Sequence, residues 1–449
     1  MIFSLPPRAH LTMRLSVVAT IALFVLIACA PARAQQTLSA SRDSGRIMLG
    51  VLKGDIMKNY YDPTYHGVDV AARFKEAEAQ IKQANSIPEI LSIISDAMMS
   101  LDDSHTFFDP PSFAVSIQHG WNMQMIGDKC YVVAVEPGSD AEAQGLHPGD
   151  RVLSVENTLP KRTDLWKLQY TVYSLAPRPS LHVMVEKPNG QRVTYETKAV
   201  VHEGKTILQL NSGVSSDRND FIREAETDAR LYRQRYYEVG DEALIWKMPR
   251  FYLSDIQVNE MIDRARKHKA LILDLRGNPG GAVDTLLKLC GGLFDHDVKL
   301  GDMKRRKDSK PLIAKTHGEN AFKGQLVVLV DSDTGSAAEV LAHTVQLEKR
   351  GTVIGDHTAG AVMVSKGYDH QLGDTLVILY GASVSDANLV FPDGHSLEHT
   401  GVAPDELMLP QAADLASQSD PVLARAAELV GLKLSPEKAG AMFPVEWRK

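Results

Sequence analysis

The chain has few of the residues that fix a protein's class at a glance. It holds three cysteines in 449 residues, Cys29, Cys130 and Cys290. They are too few and too scattered for a disulfide framework or a thiolate metal cluster. With Cys29 lying in the leader described below, the other two fall in different segments, so no bridge is expected. Charge is not one-sided either. The 49 basic and 56 acidic residues leave a net charge of -7, spread along the chain. No Lys/Arg stripe points to nucleic acid, and no acidic tail is present. Lys304-Arg305-Arg306-Lys307 is a single short basic run that reads as a solvated loop. Internal repeats and low-complexity tracts are absent, and one long apolar run occurs, at the N-terminus.

That run, Leu15 to Ala28, follows Arg8 and Arg14 and precedes the small-x-small sequence Ala32-Arg33-Ala34. It is too short and too early for a membrane span and reads as a signal peptide over residues 1–34. Leu26-Ile27-Ala28-Cys29 also fits a bacterial lipobox, which would lipidate Cys29 and attach the chain to a membrane. Both readings export the protein, to the periplasm or beyond, and both leave the leader outside the fold.

The mature chain divides by pattern. Residues 35–112 read as helices. Ser86-Ile87-Pro88-Glu89 is a capping box, followed by an apolar face of Ile87, Ile90, Leu91, Ile94, Met98 and Leu101. Residues 113–201 turn β-rich, with Tyr131 to Val135, Arg151 to Val155, a helix over Thr163 to Leu175, and a hairpin whose turn is Asn189-Gly190. Residues 202–235 are polar and read as a linker with some helix. Residues 236–410 alternate strand and helix: Ala243 to Met248, Val258 to Lys267, Ala270 to Leu275, a helix to Leu293, Gln325 to Val330, Thr352 to Gly355 and Asp374 to Tyr380. Residues 411–449 form a tail whose helix starts at Asp420-Pro421.

Ser336 is the residue around which chemistry collects. The strand Gln325 to Val330 and the turn Asp331-Ser332-Asp333-Thr334-Gly335 hand it to the start of a helix. Unpaired amides of a first helical turn favour developing negative charge beside such a serine. The same position suits a plain N-cap, so partners must decide. The turn Arg276-Gly277-Asn278-Pro279-Gly280-Gly281 lacks the lysine and hydroxyl of a P-loop and the dinucleotide spacing. It offers backbone amides beside the Ser336 strand instead. His395-Ser396-Leu397-Glu398-His399 has a zinc-peptidase spacing, but the prolines and glycines around it break any helix that would aim both histidines at a metal. His105, read alone, suits a helix C-terminus, where a positive charge is welcome.

One stretch is more specific. Gly120-Trp121-Asn122-Met123, with the run from Pro137-Gly138 through Pro148-Gly149-Asp150 to Val155, resembles the PDZ domains of bacterial proteases, which capture chain termini by backbone amides and strand addition. With it, four further motifs stand in order: Leu101-Asp102-Asp103-Ser104-His105-Thr106, Leu271 to Gly281, Gly335-Ser336-Ala337-Ala338-Glu339 with Gly355-Asp356-His357-Thr358-Ala359-Gly360, and Glu398 to Asp405. Together they resemble the C-terminal processing (tail-specific) peptidases, and within them the tricorn-core-like branch.

The resemblance implies an α/β fold: a crotonase/Clp-like α/β core, an N-terminal helical domain and an inserted PDZ-like domain. It implies an exported serine endopeptidase acting on protein or peptide, with no cofactor and no metal. Tail-specific proteases pair their serine with a lysine, but Ala361 stands where that lysine would be, and Lys366 lies five residues on. The tricorn-like pattern instead makes Ser336 the nucleophile and His105 its base. Ser104 and Glu398 would support the imidazole, and Ala337 with Gly280 or Gly281 would form the oxyanion hole. Gly120, Trp121, Asn122 and Met123 would bind peptide, with the PDZ-like unit recognising substrate termini or gating the site. The alternative is a non-catalytic ligand- or peptide-binding protein on the same fold.

Overall fold

In the computed structural model, residues 38–111, 115–203, 227–373 and 377–448 are described. The leader, most of the expected linker and the start of the expected Asp374 strand lie outside them. Helix α1 covers 38–59, α2 Val70–Ile81 and α3 Ile87–Met99. They bury Leu52, Ile56, Phe74, Ile81, Ile94 and Met98 against one another. Two details of α3 depart from expectation. Ile87 sits in the first turn and is 48% exposed. The capping is split: Ser86 Oγ accepts from the Glu89 amide, but the Glu89 carboxylate turns to the Asn85 amide.

The helices feed β1 (Phe107–Asp109), and from there the chain enters a small β unit. A short pair joins β2 (Val115–Gln118) to β8 (Val200–Glu203). Next to it lies an antiparallel sheet in order β3 (Trp121–Ile126), β4 (Lys129–Val135), β5 (Arg151–Val155), β6 (Ser180–Glu186), β7 (Arg192–Lys198). Its core includes Trp121, Met123, Val132, Leu146 and Val183. Helices α4 (Asp140–Gln144) and α5 (Leu165–Tyr170) cover it. Strand β3 forms one outer edge of the sheet.

The larger unit is built on a six-stranded sheet. Strand β9 (Arg235–Val239) runs antiparallel to β10 (Ala243–Lys247). Strands β10, β11 (Ala270–Asp274), β14 (Gln325–Val330), β15 (Thr352–Gly355) and β18 (Glu406–Leu407) are mutually parallel. Parallel neighbours need crossovers, and helices supply them: α6 (Asp255–Ala265), α7 (Val283–Leu293) and α8 (Ala337–Leu347). Side chains alternate between two cores. Leu244, Leu271, Leu273, Val328 and Val330 pack with the crossover helices. Ile245, Ile272, Val327 and Leu329 pack against α10 (Pro421–Leu429). The α9 turn of helix (Ala412–Ala416) precedes α10, and α11 (Pro436–Met442) follows it. Burial on both faces explains why these strands read as continuous apolar runs.

A second, antiparallel sheet has no counterpart in the sequence reading beyond part of one strand. It joins β12 (Val298–Arg305), β13 (Ser309–Ala314), β16 (Val364–Leu372) and β17 (Ile378–Val390). The basic run is therefore the end of β12 and its hairpin rather than a free loop. Arg306 reaches the helical unit and donates to the Tyr60 carbonyl. Strand β17 also pairs antiparallel with β1, Phe108 opposite Ala382. That pairing carries the turn before β1, residues 102–106, onto the α/β core.

Candidate active site

The position of Ser336 is set by strand β14, a tight turn and helix α8. Ser336 has φ 54° and ψ -122°, in the region that favours glycine. Holding a non-glycine residue there costs about 1–3 kcal/mol, so the surroundings must over-determine it. They do. The Ser336 amide donates to the Ala361 carbonyl (2.8 Å) and to Glu339 Oε2 (2.9 Å). The Gly335 amide donates to the Asn278 carbonyl (2.9 Å), and Thr334 Oγ1 to the Leu275 carbonyl (3.0 Å). The glycine turn after β11 fits directly against this elbow. A Cβ on Gly280 would lie 2.6 Å from Ser336 Cβ and 2.8 Å from the Ala337 nitrogen. The Gly280 amide itself donates to Asn278 Oδ1 (2.8 Å).

Glu339, one turn into α8, is fully buried. Its Oε1 accepts from Thr358 Oγ1 (2.5 Å) and the Gly360 amide (2.7 Å). Its Oε2 accepts from the Ala361 amide (2.9 Å) as well as Ser336. Burial pushes its pKa up to about 7 against the pull of these four hydrogen bonds. The sequence reading gave Glu339 no role, although a serine followed three residues later by glutamate is a capping-box signal that could have found it.

The second half of the site comes from the helical unit. Asp103 Oδ1 accepts from the amides of His105 (2.9 Å) and Thr106 (2.7 Å) and from Ser385 Oγ on β17 (2.7 Å). This fixes the turn that presents Ser104 and His105. Ser104 Oγ lies 2.7 Å from His105 Nδ1 and donates to Glu398 Oε2 (3.0 Å). The Ser104 amide donates to Glu398 Oε1 (2.7 Å). A hydroxyl has one proton. If the carboxylate takes it, Ser104 Oγ must accept from Nδ1–H, which leaves Nε2 as the basic nitrogen. Burial lowers the His105 pKa, and the negative charges of Glu398 and Asp103 partly oppose that shift. The imidazole is therefore neutral near pH 7.

The two halves meet on one dipeptide. Glu398 Oε2 accepts from the Val362 amide (2.8 Å), and the preceding Ala361 carbonyl takes the Ser336 amide. The His399 amide bonds the Gly360 carbonyl (2.8 Å), and its Nε2 meets the Asp102 carbonyl (2.9 Å). The segment from His395 to His399 is not helical. No hydrogen bond joins Ser336 to His105 among the described residues. Lys366 lies on β16, 63% exposed in its side chain, and pairs with Asp386 (3.1 Å).

Of the expected peptide-binding residues, Trp121 and Met123 point into the β-unit core, and Trp121 Nε1 donates to Thr197 Oγ1. Asn122 is exposed. Gly120 has φ 69° and packs on Ser139. The far end of β3 touches the turn before Ser336: Gln124 donates to Asp331 Oδ2 (2.6 Å), and Ser332 Oγ to the Met125 carbonyl (2.6 Å). Arg162 pins the same contact, donating to the Gly127 carbonyl, Asp356 Oδ2 (2.6 Å) and the His357 carbonyl.

Residues 244–408, from β10 through β18, match the model of peptidase family S41. The α/β core of the chain thus carries a peptidase family S41 domain. A tail-specific protease of Haemophilus influenzae is 26% identical to this chain over 290 residues, 61% of it and 38% of the relative. A carboxyl-terminal-processing protease of Synechocystis is 24% identical over 64% of it and 62% of the relative. The chain thus spans less than two thirds of the length of these relatives. The crystal structure of mature CPAF superposes with a TM-score of 0.62 at 16% identity, covering 84% of this chain and 94% of that one. That likeness shows a shared α/β fold with its N-terminal helical region.

Proposed function

We propose that this chain is a serine endopeptidase in which Ser336 attacks the peptide carbonyl and His105 serves as its base. The observation that carries this reading is the chain of contacts Ser336–Ala361–Val362–Glu398–Ser104–His105, with the imidazole held so that Nε2 is basic. A serine hydroxyl needs such a base to react near neutral pH. His105 Nε2 takes the Ser336 proton and returns it to the leaving amine. Ser104 and Glu398 orient the ring and stabilise its charged form. The Ala337 amide, at the start of α8, receives the oxyanion. Because the Gly280 amide already serves Asn278, its neighbour Gly281 is the second donor on this reading. Each such donor is worth roughly a hundredfold in rate or more. In the ground state catalytic hydrogen bonds are often unformed, so substrate binding would bring Ser336 and His105 into contact.

The substrate is an extended polypeptide. The open half of β3 suits addition of a substrate terminus in the PDZ manner, and its other end lies on the nucleophile turn, where occupancy would gate the site. The leader reading makes the enzyme exported, either soluble or held through a lipidated Cys29. Among the described residues no helix is long and apolar enough to cross a membrane.

A serine-directed phosphonate probe tests the reading. Wild type should be labelled at Ser336 and cleave an unfolded protein, while Ser336→Ala should do neither. An unlabelled wild type that cleaves nothing would contradict it.

A further inference from the structure

The residues that follow β10, 248–253, lie directly beside the glycine turn. The Phe251 amide donates to the Gly280 carbonyl (2.7 Å), and the Ala282 amide to the Phe251 carbonyl (2.8 Å). A Cβ on Gly281 would be 2.5 Å from the Phe251 oxygen, as one on Gly280 would meet Ser336. The backbone at Phe251 is therefore two interchain spacings from the nucleophile, about 10 Å. It is rigidly placed. The Phe251 side chain is fully buried, and the Leu253 amide and carbonyl both bond Thr285 Oγ1.

Arg250 precedes Phe251 on this fixed segment. Its guanidinium carbon lies 3.8 Å from the Tyr232 ring centre and 5.5 Å from that of Tyr252. Both tyrosines are exposed, Tyr252 to 66%. Among the described residues Arg250 has no carboxylate partner and makes no hydrogen bond. The contrast with Arg276, Arg162 and Arg425 is plain, since each of these is paired with one or two acids. An arginine stacked on aromatic faces is held in orientation while its N–H edge stays available to a planar bidentate acceptor.

We propose that Arg250, clamped by Tyr232 and Tyr252, anchors a substrate subsite for a carboxylate, either an acidic side chain or the free terminal carboxylate of a peptide. The assignment rests on the peptidase reading of Ser336. An extended peptide rises about 3.3 Å per residue, so the acid would stand about three residues from the scissile bond. The clamp restricts the guanidinium before substrate arrives, so little ordering is left for binding.

The test uses matched peptides that differ three residues from the cleavage point: Glu against Gln there, and, in shorter peptides ending there, a free against an amidated terminus. Wild type should cleave at least one carboxylate peptide with about tenfold higher kcat/KM than its neutral match, the worth of one charge-assisted hydrogen bond, with the gain in KM. The Glu/Gln pair reports a side-chain acid and the terminal pair a chain end. In Arg250→Gln the ratio should fall to about one, and Arg250→Lys should keep only part of it. The ratio within each variant is insensitive to folding, because an unfolded fraction lowers both peptides equally. Binding to Ser336→Ala, read by fluorescence anisotropy, should show the same preference without turnover. Wild type lacking any carboxylate preference, or Arg250→Gln retaining it, overturns the subsite. Preferential binding with no cleavage by wild type would overturn the peptidase reading and leave the subsite standing.

Discussion

Glu339 makes a sharp prediction because its two oxygens are saturated. Each accepts two hydrogen bonds, and no cation among the described residues offsets the charge. The Glu339 pKa is raised to about 7 from an ordinary 4.5, chiefly by burial. A raised acid pKa means that the folded state holds the proton more tightly than the unfolded chain. The resulting stabilisation is complete below pH 4.5, declines as pH rises toward 7, and is gone above it. The shift corresponds to about 3 kcal/mol, at about 1.4 kcal/mol per pH unit. Glu339→Gln removes the titration. Its best orientation keeps oxygen toward Ser336 and Ala361 and turns the NH2 group toward Thr358 and Gly360, leaving the Gly360 amide unsatisfied. Denaturant unfolding at a series of pH values should show the difference, wild type minus Glu339→Gln, falling by about 3 kcal/mol between pH 4.5 and 7. The kcat/KM of wild type should carry an acid limb near pH 7, since a protonated carboxyl must donate from one oxygen and can no longer accept all four hydrogen bonds that hold the elbow. In Glu339→Gln only the lower limb from His105 should remain. A stability difference that does not change with pH would refute the reasoning.

Two further substitutions address the site. Ser104→Ala removes the hydroxyl between His105 Nδ1 and Glu398. It should lower kcat by about 10- to 100-fold, the worth of one hydrogen bond to a charged group, with little change in KM. Gly280→Ala places a Cβ 2.6 Å from Ser336 Cβ at φ 95°. Steady-state kinetics should show at least a hundredfold loss of kcat, while circular dichroism stays native because the strain is confined to the turn.

The parallel sheet was readable because β11 and β14 are buried on both faces and carry little besides Leu, Ile and Val. Their glycine and serine turns are equally plain, since each strand ends where its apolar run does. The antiparallel sheet was not. Strand β17 contains Gly381, Asp386 and Asn388, residue types depleted in strands, together with the polar Ser383 and Ser385. It is held instead by pairing with β1, β12 and β16 and by bonds such as Ser385 to Asp103, which span hundreds of residues. Strand β16 has few buried positions to mark a period. At the site, Ser104, His105, Ser336 and Glu398 were named from ordered motifs, and their hydrogen-bond partners depend on long-range contacts. The Val362 amide and the Asn278 claim on Gly280 are backbone events with no side-chain signature. The buried clamp of Glu339 needed the 358–361 loop folded back onto α8.

The choice of His105 rather than a lysine as base is the central claim. Phosphonate labelling rates and kcat should be measured for wild type, His105→Ala and Lys366→Ala. His105 is linked through Ser104 Oγ to Glu398, whereas Lys366 is an exposed partner of Asp386. His105→Ala should lose activity by several orders of magnitude, and Lys366→Ala should match wild type within about twofold. An inactive Lys366→Ala beside an active His105→Ala would contradict the account.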